Sequence, residues 1–88
     1  MFRLWGKLCK DNKIIGDLTV EDDSADTRTH KVFAAITAIC LNFDLPEPIW
    51  LRSNVNEFRR LSRTRFRQDS FIEPVPFDYL EIQIIEED

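Results

Sequence analysis

Residues 2–21 read FRLWGKLCKDNKIIGDLTVE, and this stretch decides the fold. Apolar and polar residues alternate over 2–9 and again over 14–21, which is the pattern of β-strands that bury one face. Between them, KDNK supplies residues that favour a tight turn. The sequence therefore predicts an N-terminal β-hairpin.

The alternation also predicts the register of the hairpin. With a loop of three residues, Asp11 to Lys13, residue Lys10 faces Ile14. This register gathers the apolar side chains on one face: Phe2, Leu4, Leu8, Ile14, Leu18 and Val20. A loop of two residues mixes apolar and polar residues on both faces, because a slip of one residue exchanges the buried and solvated faces. We therefore predict the longer loop.

A helical pattern covers residues 28 to 43. Apolar side chains recur there at helical spacing: Val32, Phe33, Ile36, Ile39, Cys40 and Phe43. Carboxylates precede this segment, where the helix dipole favours negative charge, and either Asp26 or Thr27 is predicted to cap the helix. Pro46 and Pro48 end it, since proline cannot continue a helix.

Three more elements are predicted in the second half of the chain. Residues 49–51 form a short strand that carries Trp50. Asn54 and Glu57 have the spacing of a capping box, which starts a second helix. Residues 77–85, FDYLEIQII, form a closing strand. The inward side chains of this strand are Leu80, Ile82 and Ile84.

These elements predict one α+β domain over residues 1–88, in the order β-β-α-(short β)-α-β. A small antiparallel sheet begins with the hairpin, and two helices pack on one face of it. A chain of this length buries roughly 60–65% of its unfolded surface, so one small core is expected. That core is predicted to contain Phe2, Leu4, Leu8, Ile14, Leu18, Val20, Val32, Phe33, Ile36, Ile39, Phe43, Phe58, Leu61, Leu80, Ile82 and Ile84.

Positive charge is concentrated in residues 52–67. This segment carries six arginines and one glutamate, although the formal net charge of the chain is −4. If the second helix continues to the end of the segment, four arginines share one stripe on it: Arg59, Arg60, Arg63 and Arg67. Arg65 falls in the apolar arc instead. Either the helix ends near Thr64, or Arg65 delivers its guanidinium to a carboxylate.

The sequence leaves three interpretations of the arginine stripe open. Acids of the same chain can pair with it, namely Glu21, Asp22, Asp23, Asp26, Glu86, Glu87 or Asp88. An acidic protein partner or a second copy of the chain can also contact it. Finally, nucleic acid or a phosphorylated ligand can bind it, with Trp50 or Phe71 stacking a base. The negative net charge disfavours this last interpretation.

We predict a non-catalytic interaction or regulatory module that contacts an acidic partner or a second copy of itself. Its predicted binding residues are Arg59, Arg60, Arg63, Arg67 and Trp50. The alternative is a nucleic-acid or phosphate-ligand binding protein that uses the same stripe.

Residues suited to catalysis or to metal binding are few. His30 is the only histidine, and Cys9 and Cys40 form no CxxC pair. The segment DDSAD begins like an EF-hand loop, but the glycine and the final glutamate of such a loop are missing. The sequence therefore predicts no catalytic residue, metal or cofactor.

No apolar run has the length of a secretory signal or a membrane span. The thiols have no disulfide framework around them. We therefore expect a cytoplasmic protein with reduced cysteines that does not act at membranes.

Five motifs carry a resemblance over nearly the whole chain: LWGK at 4–7, TRTHKVF at 27–33, PIWL at 48–51, TRFRQDSFIE at 64–73 and FDYLEIQIIEED at 77–88. With them the chain resembles a family of small bacterial proteins of similar length that has no assigned activity. The resemblance implies a self-contained cytoplasmic domain and no particular functional residue.

Overall fold

The computed structural model describes residues 1–87 and shows an α+β fold in the order β-β-α-α-β-β. Its elements are β1 (Phe2–Lys10), β2 (Lys13–Asp22), α1 (Arg28–Phe43), α2 (Arg52–Leu61), β3 (Arg63–Phe66), a 3-10 turn (Gln68–Ser70) and β4 (Tyr79–Glu86). The strands form one antiparallel sheet in the order β2-β1-β4-β3. Both helices pack on the same face, as predicted. Neither is long and apolar enough to cross a membrane.

The hairpin has the predicted register but a shorter turn. Over Phe2–Leu8 the pairs are those expected, such as Leu4 with Val20. The turn consists of Asp11 and Asn12 alone, with φ angles of 52° and 65°. Aspartate and asparagine tolerate this left-handed conformation, and two such residues match the twist of the strands.

A β-bulge reconciles the short turn with the register. Leu8 pairs with Gly16, but Cys9 pairs with Ile14, so Ile15 is an extra residue in β2. Ile14 thereby lies opposite a residue of the outer face of the sheet, the face without helices. The prediction that Ile14 belongs to the core is wrong, and its side chain is 53% exposed.

Helix α1 begins and ends where the sequence predicts. Thr27 caps it, since its Oγ1 accepts a hydrogen bond of 3.2 Å from the His30 backbone N–H. Asp44 follows the helix in the left-handed conformation. The helix lies close to β1, because Gly6 has no side chain. A Cβ atom there would lie 2.5 Å from Cδ1 of the fully buried Ile39.

The second half of the chain differs from the prediction in three places. Residues 49–51 form no strand. Instead, β3, a strand that the sequence pattern did not predict, follows α2. Helix α2 begins at Arg52, so Asn54 lies inside its first turn and its Oδ1 accepts from the Leu51 N–H. The helix ends at Leu61, where Ser62 adopts a φ of 56°.

The core lies between the helices and the inner face of the sheet. Its fully buried side chains include Leu4, Ile39, Phe66, Leu80 and Ile82. Phe33 and Leu61, predicted for the core, are 50% and 41% exposed. Phe71 and Phe77 complete the core from a segment without periodicity, which is why the pattern did not predict them.

Candidate functional site

The structure separates the arginines that were predicted to share one stripe. Arg59 and Arg60 lie in the last turn of α2. Arg63 lies in β3 on the outer face of the sheet, since Thr64 and Phe66 alternate with it and are buried. The prediction of one helical stripe is therefore wrong, because α2 ends before Arg63.

Arg65 is neutralised within the chain. Its Nε lies 2.7 Å from Oε1 of Glu81, and Lys7 Nζ lies 3.1 Å from the other carboxylate oxygen. The Glu81 side chain is only 7% exposed. Burial by itself raises the pKa of Glu81, but the hydrogen bonds from Arg65 and Lys7 outweigh it and lower that pKa.

Two aromatic rings on the outer face are covered by cations of the same chain. The guanidinium carbons of Arg65 and Arg67 lie 4.4 and 5.5 Å from the centre of the Tyr79 ring. Lys7 Nζ lies 4.5 Å from the Trp5 ring, whose Nε1 donates a hydrogen bond to Asp17. These ring faces already have partners, which disfavours the stacking of bases on them.

Within residues 1–87, the other arginines of the segment 52–67 have no carboxylate partner. Among the described residues, no side-chain hydrogen bond or ion pair joins Arg59, Arg60 or Arg63 to another group. Two acids near the C-terminus pair with arginines outside this segment: Glu86 with Arg3, and Glu87 with Arg28. Asp88, also predicted as a possible partner, lies outside the described residues. Among the described residues, internal pairing thus accounts for only part of the positive charge of segment 52–67.

An open apolar groove of about 400 Å³ lies between α1 and α2. Its floor consists of Val32, Phe33, Trp50, Val55 and Phe58. Thr29 and two arginines complete the lining, Arg28 from the start of α1 and Arg59 from the end of α2. We call these two residues the rim arginines.

Aromatic packing holds the floor of the groove in place. Trp50 meets the Phe58 and Phe66 rings edge to face, with centroids 5.4 and 5.0 Å apart. The Phe33 ring also meets Trp50 edge to face, with centroids 6.2 Å apart. Because Phe66 is fully buried, Trp50 is anchored to the core, whereas half of Phe33 remains open to solvent.

The rim arginines differ in their contacts. Arg28 Nε lies 2.9 Å from Oε2 of Glu87, its Nη2 donates to Ser62 Oγ at 3.1 Å, and its guanidinium carbon lies 5.5 Å from the centre of the Phe58 ring. Arg59 has no such partner within residues 1–87. The rim is therefore cationic, and one of its two cations already binds a carboxylate.

A smaller pocket of about 190 Å³ lies beside α2 and β3. Its lining mixes charges of both signs, since it includes Arg65 and Arg67 as well as Glu57 and Asp69. The buried amide of Asn54 at its base is bonded to Thr64 and to the Arg65 carbonyl. This pocket offers neither an apolar floor nor one sign of charge, so the groove is the stronger candidate.

The residues weighed for catalysis lie apart in the fold. His30 Nδ1 lies 2.8 Å from Asp26 Oδ1 at the exposed start of α1. Cys9 is buried in β1, and Cys40 is buried on the core side of α1. Burial raises the pKa of the Cys40 thiol to about 11, and the Glu47 carboxylate adds to that rise. Across residues 1–87, no group of His, Cys, Asp and Glu is arranged to hold a metal ion.

The structure unites two of the five predicted binding residues. Trp50 and Arg59 lie in the groove, whereas Arg60, Arg63 and Arg67 do not line it. The other six lining residues were not among the predicted binding residues: Arg28, Thr29, Val32, Phe33, Val55 and Phe58. Phe33 was assigned to the core, because helical spacing does not distinguish a covered face from an open groove.

Comparison of the chain with protein-family models, with curated proteins and with solved structures gave no match. The resemblance to a family of small bacterial proteins therefore stays a prediction.

Proposed function

We propose that this protein is a non-catalytic interaction module whose groove binds a short acidic segment of a protein partner. One observation carries the proposal. An open floor of aromatic and aliphatic side chains lies between two arginines, of which Arg59 has no carboxylate partner in residues 1–87.

The groove fits large apolar side chains. A volume of about 400 Å³ lies within the range of sites that take small ligands or a few side chains of a partner. A partner that covers the exposed parts of Phe33 and Val55 removes apolar surface from water. This burial contributes a binding free energy of about 25 cal/mol per Å². Anchoring of Trp50 by Phe66 keeps the floor in one conformation, which lowers the entropy lost on binding.

The rim favours a partner with carboxylates. Arg28 binds the carboxylate of Glu87 at this edge, which supports a carboxylate as the group that the partner supplies. A guanidinium can bind both oxygens of a carboxylate, so Arg59 provides a second position of the same kind. The segment that fits the groove therefore has an apolar side chain that contacts the floor, followed by adjacent acidic residues that pair with the rim arginines.

Nucleic acid fits the surfaces less well. The rings of Trp5 and Tyr79 on the outer face are covered by cations of the chain, and the net charge is −4. The proposal therefore takes an acidic protein segment as the partner. It also takes the cytoplasm as its place of action, in keeping with buried, unbridged cysteines.

The two tryptophans allow a direct test. In the W5F variant only Trp50, in the groove, emits tryptophan fluorescence, and in the W50F variant only Trp5, on the outer face. The probe is a peptide with two adjacent leucines followed by two glutamates. Two control peptides replace the glutamates with glutamines or the leucines with serines, and a single-stranded oligonucleotide is the third control.

The proposal expects a saturable change of Trp50 fluorescence with the leucine-glutamate peptide. Both control peptides bind more weakly, because each lacks one half of the required chemistry. Circular dichroism verifies that each variant is folded. No saturable change with the probe peptide, or a stronger response to the oligonucleotide, contradicts the proposal.

A further inference from the structure

Two adjacent glutamates near the C-terminus contact different sides of the molecule. Glu87 reaches the rim of the groove, where its Oε2 lies 2.9 Å from Arg28 Nε. Glu86, the last residue of β4, instead lies 3.5 Å from Arg3 Nη1, and Arg3 does not line the groove.

We infer that Glu87 is an intramolecular competitor of the acidic partner for Arg28. The inference rests on the proposed function of the groove. A carboxylate of the partner that approaches the rim finds Arg59 without an ion-pair partner among residues 1–87, but it must displace Glu87 to reach Arg28. The C-terminal segment thereby sets how tightly the groove binds.

The contacts of Arg28 suit this role. Its guanidinium is held over Phe58 and bonded to Ser62, so it stays at the groove whichever carboxylate it binds. Glu87 directly follows β4, and this tether gives its carboxylate a high effective concentration at the rim. Both side chains of the pair are partly exposed, and pairs of this kind are weak enough to exchange.

The chain offers a matched control for the test. E87Q and E86Q remove the same charge at neighbouring positions, but only E87Q frees Arg28. Each substitution is made in the W5F background, and the leucine-glutamate peptide is titrated at one fixed ionic strength. The affinity of E87Q is expected to exceed that of E86Q by about two- to fivefold, the range of an exposed ion pair.

A second pair of variants links the effect to Arg28. In a background that carries R28Q, E87Q and E86Q are expected to have equal affinities, because the contested arginine is gone. A difference that persists without Arg28 overturns the inference.

The outcomes separate the inference from the proposed function. If the peptide binds and E87Q matches E86Q, the inference is wrong while the proposed function stands. If the peptide binds none of the variants, the proposed function is wrong and the inference falls with it.

Discussion

Arg65 Nε and Glu81 Oε1 lie 2.7 Å apart on the outer face of the sheet, directly across the pairing of β3 with β4. This contact answers part of the question raised by the arginine-rich segment. One arginine is neutralised inside the chain and is fixed above Tyr79. Arg59, which lies at the opposite face of the molecule beside the groove, is not neutralised by residues 1–87.

The Glu81 contact predicts how stability depends on pH. The folded-state pKa of Glu81 is lowered from its ordinary value of 4.5, so ionised Glu81 stabilises the fold above that pH. This contribution is lost as the pH falls from about 4.5 through the folded-state pKa. E81Q should lower the free energy of unfolding by about 1–3 kcal/mol at neutral pH and by less in acid. Urea unfolding of E81Q and the unmodified protein at pH 7, 5 and 3 measures the loss of unfolding free energy at neutral pH and in acid.

E73Q is the control for that series, since Glu73 is exposed and its side chain makes no ion pair within residues 1–87. Its stability should follow that of the unmodified protein at every pH. Equal pH profiles for E81Q and the unmodified protein would show that the buried carboxylate is not a source of acid sensitivity.

Asn54 is predicted to hold α2 against β3. Its amide donates 3.0 Å bonds to Thr64 Oγ1 and the Arg65 carbonyl, and its Oδ1 accepts from Leu51 N–H. N54A leaves buried polar groups without partners, so the free energy of unfolding should fall by about 2–3 kcal/mol. N56A, on the exposed side of the same helix, should change it by less than about 0.5 kcal/mol. Similar urea midpoints for the two variants would rule out this role.

Gly6 is predicted to be required for the approach of α1 to the sheet. In G6A the new methyl group meets the fully buried Ile39, whose side chain must shift within the core, so a loss of about 1–3 kcal/mol is expected. In G16A it meets the ring of Phe43, which is only half-buried and can turn away. Thermal unfolding should therefore rank G16A as the more stable variant, and the reverse order would contradict the packing described.

Arg59 and Arg60 allow a test of the groove by charge reversal. Both lie in the last turn of α2, so R59E and R60E change the helix end and the net charge equally. Only Arg59 lines the groove. R59E should weaken binding of the leucine-glutamate peptide about tenfold, and R60E by no more than about twofold. Calorimetric titration at two salt concentrations measures both, and equal losses would indicate a diffuse charge effect without a defined site.

Local patterns predicted much of the fold. The hairpin register over Phe2–Leu8 followed from alternation alone, because one face is buried. The predicted bounds of helix α1 were those observed, Arg28–Phe43. The apolar stripe, the capping residue and the prolines after the helix all indicate the same segment. The turn at Asp11 and Asn12 was missed because a bulge later in β2 corrects the register, so both loop lengths lead to the same pairs.

The position of β3 was missed because the arginines in and around it fit both the helical and the strand period. Arg59, Arg63 and Arg67 are spaced by four residues, as on a helix, but Arg63 and Arg65 also alternate with the buried Thr64. The choice between these periods depends on Ser62, whose left-handed conformation ends α2, and no local pattern fixes it. Arg63 and Arg67, two of the five predicted binding residues, were therefore placed on a helix that in fact ends at Leu61.

The central claim is that the groove between α1 and α2 binds an apolar and acidic segment. The most direct measurement is a heteronuclear NMR titration of the unmodified protein with the leucine-glutamate peptide, which follows the indole N–H signals of both tryptophans. The account predicts saturable shifts for Trp50 and its neighbours Phe33, Val55 and Arg59, with Trp5 unchanged. Shifts confined to Trp5 and other residues on the outer face of the sheet, or no shifts at all, would contradict the claim.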